Sequence, residues 1–96
     1  MDANQAKEAA REIVLVNQKG LHVRAAMVLV DRAQLFQSEI DLTKDGKTVS
    51  AKSILGVMTL GAEVGSLLTL AARGSDAVEA VEDLSTLVAQ RFGEDC

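Results

Sequence analysis

Apolar residues recur along the chain at two spacings, every second position and every third or fourth, and these divide it into short strands and helices. Ile13-Val14-Leu15-Val16 is a β-branched apolar run followed by the turn residues Asn17-Gln18-Lys19-Gly20, which predicts a buried strand ending in a loop. Between Val23 and Leu35, Ala26, Leu29, Val30 and Ala33 share one helical face and Arg24, Met27, Asp31 and Gln34 share another, with Met27 the apolar exception on the second. Ser38-Glu39-Ile40-Asp41-Leu42-Thr43 alternates polar and apolar, Asp45-Gly46 supplies a turn, and Lys47-Thr48-Val49-Ser50 alternates again, which predicts a hairpin. Ile54, Leu55, Val57, Met58 and Leu60 are too dense for a surface loop and, with Ser53 as N-cap, predict a short helix between Lys52 and Gly61. Ser66-Leu67-Leu68-Thr69-Leu70-Ala71-Ala72 reads as another strand. Gly74-Ser75-Asp76 then opens a last helix with a Ser cap, a buried stripe of Val78, Val81, Leu84 and Val88, and Gly93 to end it. The order is βαββαβα, an α+β arrangement in which split β-α-β units favour a sheet with helices on one face.

Length and charge narrow what such a fold can do. At 96 residues the chain is one domain that can bury roughly 60–70% of its unfolded surface. Only two Phe supply aromatic rings, so the core is aliphatic and no stacking platform for bases exists. The net charge of −4 repels nucleic acid and anionic membrane, so neither is an expected partner. Cys96 is the one cysteine, which excludes an internal disulfide or a Cys-based metal site and fits a reducing compartment. Residues 1–8 lack the basic start and apolar run of a signal peptide, and no window holds enough apolar residues to span a bilayer, so a cytoplasmic location is expected. Residues 1–11 carry no apolar stripe and read as a frayed extension or a short helical lead-in.

The chemistry concentrates around the single histidine. Gly20-Leu21-His22-Val23-Arg24-Ala25-Ala26 places His22 where a loop becomes a helix, an end whose backbone amides are unpaired and whose dipole is positive. Arg24 adds a forked donor suited to a phosphoryl group, and imidazole is a nucleophile near neutral pH. By the residues alone, a lone loop histidine is also what an ordinary surface histidine looks like, and spacing does not settle it.

That stretch resembles the active-site segment of the HPr phosphocarrier proteins, GLHARPA. Lys52-Ser53-Ile54-Leu55-Gly56-Val57-Met58-Thr59-Leu60-Gly61 resembles their second signature, at the family's distance. The similarity spans roughly residues 11–92 and divides the chain into an extension (1–11), an HPr-like domain (12–92) and a tail (93–96). It implies the HPr open-faced sandwich, with four antiparallel strands and three helices on one side. It also implies a monomeric carrier without cofactor or metal, not a catalyst in its own right, that forms a transient phosphohistidine. His22 would accept a phosphoryl group on Nδ1 from Enzyme I, charged by phosphoenolpyruvate, and pass it to sugar-specific IIA proteins, with Arg24 steadying the group. Ser53 resembles the serine modified by HPr kinase/phosphorylase. A phosphate there would suit the helix start while repelling acidic partners, although by the residues alone Ser53 is equally a simple cap. Met27, Ile54, Leu55 and Met58 would flank the histidine as an apolar docking patch, and for Leu55 and Met58 ordinary core packing is the other reading.

The chain departs from the family in two respects. Ala25 stands where Pro is usual, and Asp31 and Gln34 lie on a helical face that is often basic, which weakens steering toward acidic partners. Two other functions fit less of the sequence: a signalling protein governed mainly by Ser53 phosphorylation, and a plain interaction domain that is not phosphorylated.

Overall fold

The computed structural model describes residues 7–96. Strand β1 (Lys7–Val14) is followed by helix α1 (Val23–Ala33), the hairpin β2 (Glu39–Lys44) and β3 (Lys47–Ser50), helix α2 (Ile54–Met58), strand β4 (Leu67–Gly74) and helix α3 (Ala77–Ala89). The strands form one antiparallel sheet in the order β1-β4-β2-β3. The expected βαββαβα order and four-stranded antiparallel sheet are therefore both present.

Alternation along the strands explains the layering. Ile40 and Leu42 of β2 and Leu68, Leu70 and Ala72 of β4 are buried, while their neighbours in sequence face outward. The helices cover that inner face: α1 buries Ala25, Ala26, Leu29, Val30 and Ala33, and α3 buries Ala77, Ala80, Val81, Leu84, Leu87 and Val88. The hairpin closes through Asp45 and Gly46, both at positive φ (52° and 83°), the backbone that a two-residue turn between right-twisted strands requires.

The structure corrects several sequence expectations. Residues 7–11 are neither frayed nor helical but pair with β4 from Lys7↔Gly74 to Arg11↔Leu70. β1 is an edge strand, so its ladder holds it without an apolar run; residues 1–6 lie outside the described part of the chain. Helix α1 stops at Ala33, leaving Leu35 exposed, and α3 stops at Ala89, well before Gly93. Ser75 does not cap α3. Asp76 holds that position, and its carboxylate turns away to accept hydrogen bonds from the Gln37 amide (2.9 Å), the Ser38 amide (2.9 Å) and the Ser38 hydroxyl (2.5 Å). Those bonds, led by that from the Ser38 hydroxyl, hold the Asp76 carboxyl below its ordinary range. Val78 is 44% exposed and lies outside the buried stripe.

Candidate functional site

The loop before α1 is shaped by Asn17 and Gly20. The Gly20 amide donates to the Asn17 carbonyl at 3.1 Å, and Gly20 sits at φ 63° with its Cα side against residues 62–63. A Cβ there would lie 2.7 Å from Glu63 Cα, so only glycine fits. Leu21 then donates its amide to the Ala62 carbonyl (3.0 Å) and buries its side chain, anchoring the loop one residue before His22.

His22 is the N-cap residue of α1, extended at φ −76° and ψ 179°, and its side chain makes no cap hydrogen bond. The first amide of the helix to find a helical acceptor is that of Ala26, which donates to the His22 carbonyl at 2.8 Å. The amides of Val23, Arg24 and Ala25 therefore have no intrahelical partner, and Val23 and Arg24 are exposed while Ala25 is buried. The ring instead reaches the other end of the chain, where Nε2 lies 2.5 Å from Oε2 of Glu94. The Asn17 side-chain amide donates to Oε1 of the same carboxylate at 3.0 Å and to the Gly20 carbonyl at 2.8 Å. Burial pushes the Glu94 carboxyl up, but the His22 and Asn17 hydrogen bonds, with the nearby charge of Lys19, outweigh it and hold the group below its usual range. Gln18, Lys19, His22, Arg24, Glu94 and Asp95 border a surface depression of about 650 Å³. It is an accessible histidine beside open amides and a guanidinium, an arrangement that can receive an anionic group brought by another protein.

Ser53, exposed, is the N-cap of α2, and its hydroxyl accepts from the Gly56 amide at 3.0 Å. Of the four apolar residues expected to flank the histidine, Met27 (52%) and Leu55 (77%) are exposed, while Ile54 and Met58 are partly buried against the core. They lie on α1 and α2, which pack against each other, and Val23 adds a further exposed apolar side chain at the start of α1.

Sequence reasoning missed Asn17 and Glu94. Asn17 read as turn material and Glu94 as tail, and no periodicity links residues 77 positions apart. The available signal was Phe92, an apolar residue beyond the last helical stripe, whose burial folds the segment after α3 back onto the body.

The chain matches the family model described as the PTS HPr component phosphorylation site over residues 9–90. It is 44% identical over 84 residues to the phosphocarrier protein HPr of Cupriavidus necator, covering 88% of this chain and 94% of that one. Among solved structures it is similar to HPr-C-His of Thermoanaerobacter tengcongensis, with a TM-score of 0.86 and 42% identity over 94% of this chain and 99% of the other. It is also similar to the phosphocarrier protein HPr of Bacillus anthracis, with a TM-score of 0.82 and 41% identity over 84% of this chain and 96% of the other. The family model, the curated relative and the solved structures agree, and the chain belongs to the HPr phosphocarrier family.

Proposed function

We propose that His22 accepts a phosphoryl group from Enzyme I of a phosphoenolpyruvate-dependent phosphotransferase system in the cytoplasm and delivers it to IIA proteins. The observation that carries this reading is the helix start itself: an N-cap histidine whose ring is not used for capping, next to three amides with no helical acceptor. The phosphoryl oxygens would take the amides of the exposed Val23 and Arg24 and the Arg24 side chain, while Nδ1 forms the bond to phosphorus. A carrier needs no enclosed substrate pocket, because each partner brings its own half of the site, and an open depression meets that need. Exposed Val23, Met27 and Leu55, with Ile54 and Met58 behind them, supply apolar area for docking partners of different shape.

A second reading adds regulation at Ser53 by HPr kinase/phosphorylase. It is favoured by the hydroxyl being exposed on a helix start whose neighbour in sequence, Ile54, begins the apolar surface. A phosphate there carries about two negative charges, which the helix start tolerates and an acidic partner does not.

The test is labelling with phosphoenolpyruvate and purified Enzyme I. One acid-labile phosphoryl group per chain is expected, lost in His22→Ala with the fold retained. Undiminished labelling of that variant would remove His22 as the acceptor.

A further inference from the structure

The segment after α3 adopts a costly backbone. Arg91 and Phe92 sit at φ 60° and 54°, followed by Gly93 at 82°. Left-handed backbone is unfavourable for a non-glycine residue, and two in succession persist only where other contacts hold them. Here the buried Phe92 side chain offsets the strain. The turn delivers Glu94 to the loop before α1, where Asn17 grips one carboxylate oxygen and the other meets His22 Nε2.

The polarity of these contacts is determined by chemistry. Glu94 Oε1 and the Gly20 carbonyl are both acceptors, so the Asn17 NH2 group, and not its oxygen, must face them. An ionised carboxylate can only accept, so the 2.5 Å contact requires a proton on His22 Nε2, and in the neutral ring that leaves the lone pair on Nδ1. Among the described residues nothing hydrogen-bonds Nδ1. Asn17 is wholly buried, so the grip on Glu94 is built into the core and is not a chance surface contact.

We infer that Glu94, held by Asn17, is a positioning residue for His22: it selects the tautomer in which Nδ1 is the nucleophile, and it balances the charge the ring gains on phosphorylation. This rests on His22 being the phosphoryl acceptor. The Nδ1 lone pair forms the N–P bond while the bond from phosphorus to the donor's phosphohistidine nitrogen breaks, its electron pair staying with the donor. Nε2 keeps its proton, so the ring becomes cationic and the Glu94 carboxylate neutralises it. Onward transfer returns the electron pair to Nδ1, and no proton enters or leaves in either direction. A carboxylate that fixes histidine's tautomer and steadies its cation plays the same part in the Ser-His-Asp triad. Lys19 and Arg24 oppose the cationic ring and Asp95 supports it, and all three border the same depression.

The experiment uses the full chain, its Glu94→Ala and Glu94→Gln variants, and phosphoramidate as a small donor that needs no partner protein. Ring 15N shifts of unphosphorylated wild type should show a single tautomer protonated at Nε2, and Glu94→Ala should show a mixture. Glu94→Gln keeps an acceptor and should restore the bias. In the phosphorylated protein, the pH at which Nε2 gives up its proton should fall by about one unit in Glu94→Ala and in Glu94→Gln, the shift expected when an opposite charge is removed. Backbone amide spectra report that the variants remain folded. Identical tautomer populations and identical phosphohistidine titrations in wild type and Glu94→Ala, with normal labelling, would overturn the inference and leave the carrier reading standing. Failure of wild type to take phosphate on His22 would overturn the carrier reading and the charge-balancing role with it.

Discussion

The two helix starts use the same position in opposite ways. At α2, Ser53 turns its hydroxyl onto the Gly56 amide, so the side chain serves the helix. At α1, His22 has a similarly extended backbone, but its ring leaves the amides behind it open and goes instead to Glu94, 72 positions along the chain. The difference follows from how each helix is held. α1 has eleven residues and buries five of them, so it stands without a side-chain cap and the N-cap ring is free to reach Glu94. α2 has five residues with only Val57 fully buried, and it needs the local hydrogen bond.

The comparison breaks most completely if the loop feeding α1 is disturbed. Gly20→Ala introduces a Cβ 2.7 Å from Glu63 Cα at a backbone angle that disfavours side chains, and should cost about 3 kcal/mol in a urea melt. An unchanged midpoint would mean that the loop relaxes freely and does not hold His22 in place. At the other helix start, Ser53→Asp keeps a competent cap and adds one negative charge. Stability should be held while the initial rate of His22 phosphorylation by Enzyme I falls at least about tenfold, less so at higher salt. Equal rates would leave Ser53 a structural cap.

Ser53→Ala sharpens the contrast from the opposite side. It should lower stability by about 1 kcal/mol without slowing phosphorylation, because it removes the bond to Gly56 and adds no charge. The smallest effect is expected at Arg24. This exposed side chain donates to no partner among the described residues, so Arg24→Ala should leave stability within about 0.5 kcal/mol and slow transfer roughly threefold. Identical transfer rates would reduce Arg24 to a solvated charge.

What could be read from the sequence is what neighbouring residues decide among themselves. The Asp45-Gly46 hairpin depends on the two residues that adopt positive φ. The buried face of α1 depends on helical spacing, and the Ser53 cap on an acceptor and a donor three residues apart. Each was expected, and each is present. His22 at a helix start was expected for the same reason, since the Gly20 turn and the first helical residues adjoin it.

Tertiary structure decided whatever depends on two distant segments meeting. β1 reaches back to Lys7 because β4 supplies its hydrogen bonds, although residues 7–11 have no apolar run of their own. Asp76 leaves its own helix because Ser38, brought alongside by the sheet, offers donors better placed than those of α3. Glu94 meets His22 because burial of Phe92 drives a left-handed turn that neither Arg91 nor Phe92 would adopt alone. Local propensity acts over three or four residues, whereas these contacts are set by how the core packs; the sequence could place the histidine, and only the folded chain could supply its carboxylate.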